Sequence, residues 1–497
     1  MKNPPPFLIF AALAWAVLSK CAIAAEAARD AEEQRLITVV SSAAPINERE
    51  AACVRLHRIA SDRAVPALAA LLGDPDLSHA ARHALESMSG AAAGRALVEA
   101  LATTSGAQRL GVIASVAARR DDVAVPALSK LLRDADAAAA EAAAGALGAI
   151  PSPAALTNLE AAWPDSTGAV RAAITDALLA QAWRLLKSGE TREAGRVFRS
   201  VHAAERDPRV RMAADEGMIR SAGAVGLALV RAGLTGTVEP ERAAALRVIS
   251  DLPEPGLGKL LGELLPTLPP AVQRSVIEGW LQRTDPPPRA SVLPLLTSAS
   301  DEVRTSAVRA LGRVGSAADI SFLLALAAED GPVRRAARLA LAVLDAPGVG
   351  AELLARAGGV AGRVAERIEA VRALGERGER STVAGLIPLA RGAEDNLRQA
   401  ALRALAALVD EPGSAELVTF VEESASEPRR NEAARALALA LGRLSPAAGF
   451  PALAAVNRAW ERGSVPVRAA LLSATSGLVA RSEEHTSELQ SRLHLVC

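Results

Sequence analysis

The stretch Ser300–Ala328, SDEVRTSAVRALGRVGSAADISFLLALAA, decides the fold. Val303, Ala307, Ala310, Leu311 and Val314 fall on one stripe of a 3.6-residue period, so its first half reads as an amphipathic helix. Ser300 or Asp301 can cap its start, and Asp301 and Glu302 place negative charge at the positive end of the helix dipole. Gly315 ends it. Ser316, with Asp319 three residues on, has the form of a capping box, and Ile320, Leu323, Leu324 and Ala327 make the apolar face of a second, antiparallel helix. Neither helix buries its face alone, so the hairpin requires a neighbour on each side.

Those neighbours are written along the chain. The central leucine of each second helix, Leu293, Leu323, Leu353, Leu386, Leu417 and Leu453, recurs at steps of 30, 30, 33, 31 and 36 residues. Earlier, Leu68, Leu97, Leu128 and Leu156 are 29, 31 and 28 apart, and Phe198, Leu227 and Leu260 continue the series after a step of 42 that marks an insertion. The expected fold class is all-α, a right-handed α-solenoid of about a dozen helical hairpins.

Val65-Pro66-Ala67-Leu68 with Leu71-Leu72-Gly73-Asp74, Val125-Pro126-Ala127-Leu128 with Leu131-Leu132-Arg133-Asp134, and Asp301–Gly315 resemble short bacterial HEAT-like repeats. The resemblance covers roughly residues 48–480, and it implies a fold rather than a reaction, because such arrays serve scaffolds, lyases and nucleic-acid binders alike. In the insertion, Trp183, Gly189, Ala194 and Phe198 are similar to the second half of a tetratricopeptide hairpin; an elongated HEAT hairpin is the alternative. The whole chain resembles secreted bacterial HEAT-repeat proteins. Proteins of that kind often carry a further C-terminal module, such as a c-type cytochrome or a sugar-binding or glycoside-hydrolase-like domain.

The organisation read from the sequence is a signal peptide at 1–24, a lead-in at 25–47 and HEAT-like repeats at 48–165. An elongated or tetratricopeptide-like hairpin follows at 166–206, then further repeats at 207–480. The signal has Lys2 before an apolar run from Phe7 to Leu18 and Ala22-Ile23-Ala24 as cleavage site; the run is too short to span a bilayer, and Lys20 before Cys21 spoils a lipobox. A periplasmic or secreted protein is therefore expected, with no integral membrane segment after cleavage. Pro-rich text at Leu252–Pro255 and Asp285–Pro288 falls between helices, where proline is tolerated. From Arg481 the sequence resembles the translation of a sequencing-library adapter, so 481–497 is expected to be an assembly artefact joined to a truncated gene.

Composition narrows the chemistry. Hydrophobic residues make up 50% but aromatics only 2%, and Tyr is absent, so the core must be Ala, Leu and Val. Lys plus Arg and Asp plus Glu are both 56, which gives no global field for nucleic acid. Arg119-Arg120 and Arg334, Arg335 and Arg338 read as solvated faces. Cys53 lies among Val54 and Leu56 as a small buried apolar residue. His79 and His83, spaced four apart, with His57 one repeat earlier and Glu86 a turn later, are the positions a metal would use. Iron-binding hydroxylases of this repeat type use His-Glu pairs, which are missing here, so packing histidines are the reading adopted and no metal, cofactor or catalytic residue is assigned.

The function expected is a non-catalytic protein-interaction scaffold, with a partner along the concave face lined by the second helices and arginines supplying polar contacts. The alternative is the repeat portion of a larger exported protein whose C-terminal module is missing.

Overall fold

The structure is a computed structural model and describes residues 26–359, 362–410, 413–443 and 449–482. The expected signal peptide lies outside these residues, as does the adapter-like text beyond Ser482. Among the described residues every regular element is helical, and none is long and apolar enough to cross a membrane. The α-solenoid expectation holds.

The chain divides into two units, up to Ala245 and from Leu246. The first holds α1 (26–41), α2 (Ile46–Ile59), α3 (Val65–Ala69), α4 (Ser78–Ser87), α5 (Ala91–Thr103), α6 (Gly106–Arg119) and α7 (Val125–Leu131). It continues with α8 (Ala137–Ala149), α9 (Pro153–Ala162), α10 (Gly168–Lys187), α11 (Thr191–Ala204), α12 (Pro208–Ser221), α13 (Gly226–Thr235) and α14 (Glu239–Val248), which runs across the boundary. The second holds α15 (Leu257–Leu264), α16 (Pro270–Leu281), α17 (Arg289–Val292) with a 3-10 turn at Leu293–Thr297, α18 (Asp301–Val314), α19 (Ile320–Ala328) and α20 (Arg334–Val343). After these come α21 (Val349–Gly358), α22 (Val364–Arg377), α23 (Val383–Arg391), α24 (Asp395–Leu408), α25 (Ser414–Glu423), α26 (Glu427–Arg443), α27 (Gly449–Arg462) and α28 (Val465–Ser482).

Within each unit the even helices stack in one layer and the odd helices in a second. In the first unit α2, α4, α6, α8, α10 and α12 pack in succession, with α3 against α5 and α7 against α9. In the second, α16 to α28 pack in the same even order, and α19, α21 and α23 lie side by side behind them. The marker leucines fall in the odd layer, where Leu68, Leu97, Leu128, Leu323, Leu353, Leu386 and Leu417 are fully buried. Burying each contributes on the order of 2 kcal/mol, which is what closes one hairpin on the next.

The founding stretch folds as read, with one addition. Val303, Ala307, Ala310 and Leu311 are buried, and Ser300 Oγ accepts from the Val303 amide at 3.4 Å. Ser306, Val308 and Gly312 are buried as well. A first-layer helix meets its partner helix and two flanking helices, so it buries more than a single stripe. Gly312 shows how tight this is: a Cβ there would lie 2.8 Å from the Ala340 Cα on α20. Gly148 against Ala177 and Gly375 against Ala404 repeat the contact. Ser316 donates its amide to Asp319 Oδ2 at 2.8 Å, the acidic half of the capping box.

The region 25–47 carries more structure than a lead-in. Residues 26–41 form a helix that buries Leu36 and Val40, and Glu33 accepts from the Ser61 amide at 2.5 Å. The step of 42 residues arises from α10, which is 20 residues long and packs against both α8 and α12. Trp183 and Phe198 meet edge to face at 5.0 Å across this hairpin.

Candidate interaction surfaces

The surface available to a partner depends on which charged side chains are free, and most arginines are not. One set stands in the first turn of even helices and donates to the last carbonyls of the odd helix before. Arg109 reaches Thr104 O at 2.6 Å, Arg171 Trp163 O at 3.1 Å, Arg304 Ser298 O at 2.6 Å, Arg367 Ala357 O at 3.0 Å and Arg430 Ser424 O at 2.7 Å. A second set stands near the end of even helices and caps the preceding even helix. Arg119 donates to Leu85 O at 3.0 Å, Arg184 to Gly148 O at 2.6 Å, Arg283 to Ile249 O at 2.9 Å and Arg377 to Leu344 O at 2.7 Å. Helix C-termini leave carbonyls unsatisfied at the negative end of the dipole, and a guanidinium offers five donors to fill them.

This corrects the reading of the arginine runs as solvated faces. The Arg119 side chain is only 7% exposed. Arg334 donates to Ala327 O at 3.2 Å, and Arg338 grips Glu369 through Nε at 2.8 Å and Nη2 at 2.5 Å. Arg120 and Arg335 alone of that group are exposed.

Two odd-layer features are open to a partner. Arg391, at the end of α23, lies over the Phe420 ring of α25 at 5.1 Å, with Glu423 at 3.4 Å and Glu416 at 3.7 Å. Three side chains thus hold one exposed guanidinium in place. Phe322 on α19 is 39% exposed. In the first unit, a cleft of about 250 Å³ opens beside Trp163, with Glu160 bridged to Arg196 at 2.8 Å.

The even layer has its own groove, about 590 Å³, between α22 and α24. Its floor is Gly375 and Ala404; its walls carry Arg372, Glu376, Gln399 and Arg403. Arg372 donates to both Glu369 oxygens, at 3.1 and 3.2 Å, while Gln399 donates to Glu432 at 2.7 Å. Arg403 is exposed and has no acidic partner among the described residues.

The histidines singled out in the sequence are only partly gathered. The His57 and His83 rings stack at 4.3 Å, and His83 Nδ1 stands 3.9 Å from Glu86, but His79 is not part of this contact. Among the described residues no group of three or more His, Cys, Asp or Glu side chains is placed to hold a metal ion. Cys53 is fully buried, and burial pushes its thiol up to about 11. Sequence reading overlooked His202, whose Nδ1 faces Asp215 Oδ1 at 2.5 Å, with Arg211 Nη2 3.4 Å from Nε2. Burial raises the Asp215 carboxyl above the ordinary range, against the pull of His202. Nothing local in the sequence marks this pair, because its members sit on neighbouring helices α11 and α12.

Comparison with known proteins agrees with the geometry. A family model described as HEAT repeats matches residues 94–179, 258–342 and 360–438. No curated protein matches the sequence. Among solved structures, that of Kap121p bound to Ste12p aligns with 90% of this chain and 56% of its own length, at 13% identity and a TM-score of 0.51. A Kap95:Nup1 complex aligns with 94% of this chain and 74% of its own, at 16% identity and a TM-score of 0.46. The first likeness is one of fold, and this chain spans little more than half of that neighbour.

Proposed function

The chain belongs to the HEAT-repeat family, and on that premise we propose that it is a non-catalytic, exported protein-interaction scaffold. The observation that carries the reading is Arg391, held over Phe420 and between Glu416 and Glu423 on the odd-layer surface. Arginine and aromatic side chains fixed before binding make effective anchors, since little rotamer freedom remains to be lost. We place the partner along this surface, the concave side in the solenoid reading, with Phe322 as a further apolar contact. A fold neighbour, Kap121p, is seen with Ste12p bound, and that use of the fold supports the proposal. Export rests on the signal-like text of residues 1–24.

The protein freed of residues 1–24 should turn over no member of a panel of glycan, redox and tetrapyrrole substrates; turnover of any by the purified chain would refute the scaffold reading. A second reading, the repeat portion of a longer exported protein, rests on the adapter-like text from Arg481. The uninterrupted reading frame past Ala480 tests it.

A further inference from the structure

The even layer of the second unit carries a surface that the partner on the odd layer would not use. The buried leucines Leu341, Leu374, Leu405 and Leu441 stand at matching places in α20, α22, α24 and α26. Two residues before each come Leu339, Arg372, Arg403 and Leu439; six before come Arg335, Ile368, Gln399 and Arg435. Positions four apart share a helix face, so these form two rows crossing four successive helices. Leu339 is 50% exposed and Leu439 62%, with the α22–α24 groove between them.

The charge of this face is one-sided. Glu369 is already matched by Arg338, which leaves the Arg372 guanidinium in excess. Arg335, Arg403 and Arg435 are exposed and have no ion-pair partner among the described residues. Glu376 is the acidic side chain lining the groove. Many even-layer arginines elsewhere are spent on carbonyls, as Arg119, Arg184 and Arg377 are, whereas here free cations stand beside exposed leucines.

We propose that this face docks an acidic, leucine-bearing segment of a partner protein in extended conformation. Neighbouring helices lie about 8–10 Å apart, and residues two apart on an extended chain are about 7 Å apart. Carboxylates two or three residues apart therefore meet Arg372 and Arg403, with leucines before and after them against Leu339 and Leu439. Small side chains pass over Gly375 and Ala404. Crossing all four helices takes roughly eight residues. The inference rests on the chain being a binding module, though not on the odd-layer surface.

The test is fluorescence anisotropy of the full chain with a labelled peptide of Leu-x-x-Glu-x-Glu-x-x-Leu pattern, alongside its glutamine analogue and a single-stranded oligonucleotide of equal charge. The acidic peptide should bind and weaken as salt rises, while the glutamine analogue should not bind. Arg403→Glu should weaken binding at least about tenfold, and Leu339→Ser with Leu439→Ser should weaken it further. Arg391→Glu should leave it unchanged. Circular dichroism melts confirm that each variant is folded. Failure of the acidic peptide to bind, or equal binding to Arg403→Glu, overturns the proposal and leaves the odd-layer surface as the scaffold's site. Equal binding of the oligonucleotide with no effect of the leucine changes also overturns it, in favour of a general polyanion site. Loss of peptide binding in Arg391→Glu instead would move the peptide to the odd layer.

Discussion

Arg377, in the last turn of α22, donates at 2.7 Å to the main-chain carbonyl of Leu344, the residue that caps α20. The same guanidinium nitrogen reaches Leu341 O at 3.1 Å, so one side chain fixes two helices in register. Charge-assisted bonds of this kind contribute about 1.5–3 kcal/mol each. Arg377→Ala should lower the unfolding free energy, and with it the urea midpoint, by an amount of free energy within that range, and Arg377→Lys should restore only part, since an ammonium lacks the planar fork. A midpoint unchanged in Arg377→Ala would show that the bond adds nothing.

Glu369 is buried and takes hydrogen bonds from Arg338 and Arg372. Removing the carboxylate leaves cationic groups facing each other in a partly dry site, so Glu369→Ala should cost about 3–5 kcal/mol. Glu369→Ala combined with Arg338→Met should recover a measurable share of it. If the double variant is no more stable than the single one, the loss arises from packing and not from charge.

Two aspartates give pH dependence of opposite sign. Hydrogen bonding to Arg289 holds the Asp319 carboxyl below its ordinary value of 3.8. That contribution is fully present above the ordinary value and is lost as pH falls through the depressed one. Burial holds Asp215 above the same value, so ionising it weakens the fold as pH rises through the raised value. Asp319→Asn should therefore shallow the stability loss in urea titrations between about pH 5 and pH 2. Asp215→Asn should steepen it. The reverse pattern would mean the shifts have the wrong sign.

The Cys53 thiol, pushed up to about 11 by burial, should resist alkylation in the native state at mildly alkaline pH. Peptide mapping should find it labelled only once urea unfolds the first unit. Native labelling at the rate of an exposed thiol would contradict its place in the core.

The apolar helix stripes and the helix starts were legible in the sequence because each depends on residues three to eight apart, and the repeat because its leucine markers recur about every 30 residues. The arginine caps were not. Arg119 and its acceptor Leu85 are 34 residues apart, and an acceptor that is a main-chain carbonyl leaves no residue type to recognise. A hint existed in Leu311-Gly312-Arg313 and Leu441-Gly442-Arg443, where arginine follows the leucine and glycine of a helix end. The Arg391–Phe420 contact and the groove floored by Gly375 and Ala404 were equally out of reach, since both join residues about one repeat apart.

The most direct test of the scaffold account is quantitative capture of native binding proteins by the full chain, by Arg391→Glu and by Arg403→Glu, each verified as folded. The account predicts that a reproducible partner set held by the unaltered chain through the odd layer is kept by Arg403→Glu and lost with Arg391→Glu. Capture of the same set at the same yield by Arg391→Glu would contradict it.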